Sequence, residues 1–186
     1  MKKSVILSIV NELEQSAQLV KQEDIDKLVN LIGNSNRVFV AGAGRSGFMV
    51  RAFVNRLMHL GCNAYFVGEP TTPSIQKGDL LIIGSGSGET GSLVTMATKA
   101  KAQKADVALL TIYPESTIGK LSTVVVSLPG STQKSQLGKG SIVTIQPIGS
   151  LFEQLLLLTC ESVVLTMKIQ KNMTDEEMFS RHANLE

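Results

Sequence analysis

Val38-Phe39-Val40-Ala41-Gly42-Ala43-Gly44-Arg45-Ser46-Gly47 decides the fold. Its first four residues form a short, fully apolar run, as expected of a strand covered on both faces. A glycine-rich turn follows at once, and a helical pattern then runs over about residues 46–60. The same unit recurs downstream. Leu80 to Ile83 is a second apolar strand, closed by Ser85-Gly86-Ser87-Gly88-Glu89-Thr90-Gly91, with a helix over about 90–104. Ala64 to Val67, Val107 to Ile112 and Thr123 to Ser127 supply three more strands. Apolar strands alternating with helices specify an α/β fold. The expected architecture is a three-layer sandwich, a five-stranded parallel sheet flanked by helices.

Residues 4–32 read as one amphipathic helix. Ile6, Val10, Leu13, Ala17 and Val20 recur at spacings of four and three. Ile25, Leu28, Val29 and Ile32 continue the pattern past an acidic patch at Glu23 to Asp26, and Gly33-Asn34 ends it. This helix either packs on its own domain or extends in part to a partner subunit. Residues 129–148, rich in Gly, Ser, Gln and Lys, read as a loop. A long helix over about 149–171 and a short polar tail helix over about 174–184 complete the chain. No internal boundary interrupts residues 1–186, so a single domain is expected.

Composition excludes several classes. The 186 residues carry 18 basic and 16 acidic side chains, a net charge of +2. That is too balanced for a nucleic-acid footprint. Aromatics are 4% with no Trp, so the core is aliphatic and few rings are available for base stacking. The apolar stretch Ser4 to Val10 is soon broken by Asn11, Glu12 and Glu14, unlike a signal peptide. The run Leu155 to Met167 contains Glu161 and is shorter than the roughly 20 residues a membrane span needs. Cys62 and Cys160 lack metal-ligand spacing and read as core thiols of a cytoplasmic protein.

The two glycine turns carry the chemistry. Gly42-Ala43-Gly44-Arg45-Ser46-Gly47 matches the dinucleotide pattern G-x-G-x-x-G, and Glu69 lies about where a ribose-binding acid would sit. The underlying physics is more general: a tight turn and a helix N-terminus offer free N–H groups to any anion. The second turn offers the hydroxyls of Ser85, Ser87 and Thr90 with several backbone amides and no Lys. That chemistry suits a phosphate monoester on a neutral polyol. Glu89 would cap a helix or bind substrate hydroxyls. Two such turns at the carboxyl ends of parallel strands define the ligand crevice of an open α/β sheet.

The turns Gly42-Ala43-Gly44-Arg45-Ser46 and Ser85-Gly86-Ser87-Gly88-Glu89-Thr90 resemble those of the sugar isomerase (SIS) domain, a flavodoxin-like phosphosugar-binding fold. Within it, the 6-phospho-3-hexuloisomerases are the most similar group. Arg56 to Gly61, Pro147 to Gln154 and the ending Arg181-His182-Ala183-Asn184-Leu185-Glu186 carry that likeness. The resemblance implies interconversion of 3-hexulose 6-phosphate and fructose 6-phosphate, without a cofactor or metal. It implies a dimer or tetramer with active sites near subunit boundaries. It also implies a place in the ribulose monophosphate route of formaldehyde fixation, next to 3-hexulose-6-phosphate synthase.

Moving a carbonyl from carbon 3 to carbon 2 removes and returns one proton through an enediol. Glu153, in the first turn of the long helix, is the candidate base, and the resemblance places the family's proton acceptor there. A first-turn Glu that merely complements the helix dipole is the plainer reading. His59 and His182 are the candidate acids or electrophiles. His59 sits roughly 20 Å along its helix from the first turn, at 1.5 Å per residue. It could hardly reach the site of its own subunit but could reach a neighbour's, and for His182, in the polar tail, the plainer reading is an exposed histidine. Ser46, Ser85, Gly86, Ser87, Gly88, Glu89 and Thr90 are assigned to substrate binding. Arg45 would neutralise phosphate or anchor a carboxylate, while Lys134 and Lys139 read as solvated charges.

Three rivals are distinguishable. A dinucleotide-dependent oxidoreductase needs a substrate-binding portion for which the chain has little room. A non-catalytic phosphosugar sensor of the regulator type needs a helix-turn-helix for which there is no spare length. A sister isomerase, such as a sedoheptulose 7-phosphate isomerase, has similar length and is separated by assay.

Overall fold

The computed structural model describes residues 4–131 and 142–185. The middle of the 129–148 loop, with Lys134 and Lys139, and Glu186 at the end of the tail lie outside the described residues. The strands are β1 Val38–Gly42, β2 Ala64–Phe66, β3 Leu80–Gly84, β4 Asp106–Thr111 and β5 Val124–Ser127. The helices are α1 Val5–Ala17, α2 Gln22–Gly33, α3 Gly44–His59, α4 Gly91–Ala102, α5 Thr117–Leu121, α6 Ser150–Gln170 and α7 Asp175–Phe179.

All five strands are parallel, in the order β2-β1-β3-β4-β5. This is the flavodoxin-like order expected from the resemblance. Side chains alternate across each strand and build two cores. On one face Val38, Val40, Leu80, Ile82, Ala108 and Leu110 meet α2, α3 and α6. On the other, Phe39, Ala41, Leu81, Ile83, Val107 and Leu109 meet α4 and α5. Sheet and two helical layers make the three-layer sandwich. The chain turns from β1 toward β2 and from β3 toward β4, so the sheet order reverses between β1 and β3. Such a switch point opens a crevice at the carboxyl ends of the strands. Gly42 pairs with Gly84, so both glycine turns leave the sheet side by side. Near the amino end of β3, Arg37 makes a bidentate pair with buried Asp79, Nε–Oδ1 3.1 Å and Nη2–Oδ2 2.6 Å.

Three expectations need correction. The single helix over 4–32 is two helices, broken at residues 18–21. The acidic patch marks the break: Glu23 and Asp24 occupy the first turn of α2, where negative charge complements the helix dipole. Ile25, Leu28, Val29 and Ile32 of α2 are buried, whereas Val5, Ile6, Leu7 and Val10 of α1 are exposed. The second correction is α5, absent from the sequence reading. Its five residues are too few for a periodic pattern, and it is started by the Ser116 side chain, which accepts from the Gly119 N–H. Third, the tail helix is only Asp175–Phe179, opened by a capping box between Thr174 and Glu177.

Helix α6 has 21 residues and is apolar enough to cross a membrane, but it serves as a core helix. Phe152, Leu156, Cys160, Val163 and Met167 form its buried stripe in the core. Both cysteines are free; Cys160 is buried, Cys62 half-buried, and burial pushes both thiols up.

Candidate functional site

Three helices open onto one crevice of about 240 Å³. Ser46 of α3, the Gly84–Ser87 loop, Thr90 and Leu93 at the start of α4, and Gly149, Phe152 and Glu153 at the start of α6 line it. The N-caps of these helices, Ala43, Thr90 and Gly149, give no side-chain cap to the first turn. The Ser150 N–H donates to the Pro147 carbonyl at 2.9 Å, while the other first-turn amides ahead of each first intrahelical bond have no acceptor among the described residues, as suits an anion-binding helix start.

The first turn is made by one glycine against another. A Cβ on Gly47 would sit 2.8 Å from the Gly42 carbonyl oxygen, so any side chain there would push α3 off β1. The second turn is cross-linked. Gly88 has φ +63°, and a Cβ there would fall 2.0 Å from the Ser116 hydroxyl. The Gly86 carbonyl accepts from the Thr111 hydroxyl at 3.1 Å and from the Ile112 N–H at 3.1 Å. The Gly88 and Glu89 amides turn inward to the Ser85 and Ser87 hydroxyls, each at 3.2 Å. Among the described residues, the amides of Gly86, Ser87 and Thr90 donate to no protein acceptor.

Glu153 is 8% exposed and faces the crevice. Arg45 Nε donates to its Oε2 at 2.5 Å. Of the two roles open to Arg45, this contact is the carboxylate one. The remaining oxygen, Oε1, lies toward Gly149, within 3.5 Å of the point where a Cβ would stand.

Of the expected binding residues, Ser46, Ser85, Gly86, Ser87 and Thr90 line the crevice. Gly88 and Glu89 do not. Gly88 is the pivot of its turn, and Glu89 accepts from the Thr117 N–H at 2.6 Å, capping α5. Glu69 pairs with Arg51 away from the crevice, so the ribose-binding position suggested by the dinucleotide pattern is not formed. The apolar walls Leu93, Ile148 and Phe152 were not singled out from sequence; Ile148 and Phe152 lie inside the Pro147 to Gln154 stretch, but nothing marks Leu93 before the fold is known.

The two histidines come together, but not at the crevice. His59 ends α3 and His182 follows α7; their rings stack with centroids 5.3 Å apart, and Phe179 stacks on His182 at 5.7 Å. Arg181 holds the tail there, donating from Nη1 to the His59 carbonyl at 3.3 Å and to the Glu177 carbonyl at 2.9 Å. Burial, with the nearby Arg56 and His182, pushes the His59 imidazole below its ordinary value. Among the described residues no group of three or more His, Cys, Asp or Glu side chains converges as a metal site would require.

Residues 31–158 match the SIS domain. The chain belongs to the SIS domain family. It is 50% identical over 181 residues to a 3-hexulose-6-phosphate isomerase of Bacillus subtilis, covering 97% of both chains. It is 40% identical to a 3-hexulose-6-phosphate isomerase of Mycobacterium gastri, over 97% of this chain and 89% of that one. Among solved SIS structures, a hypothetical protein of Methanococcus jannaschii superposes with TM-score 0.83 at 31% identity, over 97% and 98% of the two chains. That structure infers a molecular function of 3-hexulose-6-phosphate isomerase.

Proposed function

We propose that this SIS-domain chain is an isomerase that interconverts 3-hexulose 6-phosphate and fructose 6-phosphate. The observation that carries the reading is a buried carboxylate, Glu153, facing the same crevice as an anion cradle of hydroxyls and unpartnered amides. The phosphate rests on Ser85, Gly86, Ser87 and Thr90, at the positive end of α4. Glu153 takes the proton from carbon 2, the electron pair forms a 2,3-enediolate, and the same carboxyl returns the proton to carbon 3. The hydroxyl proton passes from oxygen 2 to oxygen 3. The exchange is redox-neutral, so no external oxidant or reductant is involved. Arg45 holds the carboxylate against the two carbons.

The reading extends to a homo-oligomer, a dimer or tetramer, in a cytoplasmic ribulose monophosphate route beside a 3-hexulose-6-phosphate synthase. Two observations favour the oligomer. The apolar residues Val5, Ile6, Leu7 and Val10 of α1 are exposed, without cover among the described residues. The His59–His182 stack lies outside the crevice of its own chain and would be presented to a neighbouring copy, as acid or electrophile for the migrating oxygens.

A panel of sugar phosphates, including sedoheptulose 7-phosphate, tests the substrate. With 3-hexulose 6-phosphate, fructose 6-phosphate forms and is detected through phosphoglucose isomerase and glucose 6-phosphate. No product would sink the assignment. Glu153→Gln is expected to lower kcat by about 10³-fold or more while sugar-phosphate binding survives. Unchanged turnover would remove Glu153 from the chemistry.

A further inference from the structure

One wall of the crevice is formed by Ile148 and Gly149, just before α6. The residues leading into it, Thr144 to Gln146, belong to no helix or strand. A single carboxylate from α1 holds them. Glu12 Oε2 accepts from the Thr144 hydroxyl at 3.0 Å and from the Gln146 side-chain amide at 2.9 Å. Glu12 Oε1 accepts from the Ile145 N–H at 2.9 Å. Buried Gln146 is satisfied at its other end too, accepting from Gln154 Nε2 at 2.6 Å, beside Glu153 on α6. Its N–H donates to Thr144 Oγ1 at 3.0 Å, which closes the turn. Bonds to an ionised acceptor are about twice as strong as neutral ones, so three on one carboxylate make a stiff link.

The geometry points to Glu12 as a positioning residue for the sugar-phosphate crevice. Through Thr144, Ile145 and Gln146 it fixes the wall at Ile148 and Gly149 against which the bound sugar phosphate rests. The identity of that ligand rests on the isomerase reading; the link itself does not. The Glu153 carboxylate is held from the opposite side, by Arg45 of the first glycine turn, which is not part of that wall. A loosened wall therefore weakens ground-state and transition-state binding alike, which raises KM and spares kcat.

The test compares wild type, Glu12→Gln, Gln146→Ala, the double variant and, as a control, the exposed Glu14→Gln on the same helix. With 3-hexulose 6-phosphate, KM is expected to rise about tenfold in Glu12→Gln with kcat within about twofold. The effect of the double variant should fall short of the sum of the two singles, since both break the bond between Glu12 and Gln146. Hydrogen exchange at the Ile145 and Gln146 amides, which donate to Glu12 and to Thr144, should quicken in Glu12→Gln without substrate. An unchanged KM, unchanged exchange, or an equal KM rise in Glu14→Gln overturns the proposal. A wild type inactive on 3-hexulose 6-phosphate refutes the isomerase reading, while exchange still decides the link. If Glu12→Gln fails to fold, Gln146→Ala cuts the link from the other side and is read in the same way.

Discussion

The two glycine turns leave the sheet at paired positions, Gly42 beside Gly84, yet they are built in different ways. In the first, glycine packs on glycine, and the one charged side chain, Arg45, stays 65% exposed as it reaches across to Glu153. The second is tied to β4 through the Gly86 carbonyl and to α5 through the Gly88 carbonyl, which accepts from the Ile118 N–H at 3.2 Å. The difference follows the chemistry each would serve. A phosphate cradle works by donors held in place before the ligand arrives. A carboxylate that moves a proton between two carbons needs direction, and a single guanidinium supplies it.

The largest expected effect is at the rigid turn. Gly88→Ala forces a left-handed backbone on a side chain that collides with Ser116, and should cost about 2–5 kcal/mol in stability. Urea unfolding together with sugar-phosphate affinity reads it; a fully stable, fully binding variant would mean that the second turn is as forgiving as an ordinary loop. Next is the first turn. Arg45→Gln is expected to lower kcat about tenfold while leaving KM nearly unchanged, with Arg45→Lys recovering part of the loss. A rise in KM with normal kcat would instead make Arg45 a phosphate ligand and erase the contrast between the turns.

The smallest effect lies away from both, at the far end of α3. The His59 imidazole is pushed below its ordinary value, chiefly by burial. The unfolded chain therefore binds the proton more readily than the folded one. The stability that neutral His59 contributes is fully present above the ordinary value of 6.5 and is lost as the pH falls through the lowered folded value. Thermal unfolding of wild type should weaken more than that of His59→Gln between about pH 7.5 and 5.5. Parallel curves for the two proteins would show that the stack carries no such linkage.

Legibility tracked the range of the interactions involved. β1, β3 and β4 are legible because strands covered on both faces leave continuous apolar runs, and the glycine turns after the runs around Val40 and Ile82 mark them as strands and not buried helix. The crevice position of Ser46, Ser85, Ser87, Thr90 and Glu153 is legible because each sits in the first turns after a strand or loop, at the carboxyl ends of the strands. The break between α1 and α2 was hidden, since the apolar spacing continues across it and only the acidic residues mark the new N-terminus. Glu89 shares a turn with crevice residues, so the sequence leaves its cap and ligand roles open; its partner, the Thr117 amide, is 28 residues away on a helix too short to read.

The sequence by itself determined the alternation of buried strand and glycine turn, and with it the sheet, the crevice and the carboxylate at the head of α6. These are local consequences of hydrophobic periodicity and backbone sterics. Only the tertiary structure decided that Arg45 meets Glu153, that His59 meets His182, and that Glu12 reaches Thr144, Ile145 and Gln146. A charged or polar side chain has many partners of suitable chemistry along the chain. Which one it meets is settled by packing, when the two cores bring distant segments within hydrogen-bonding distance.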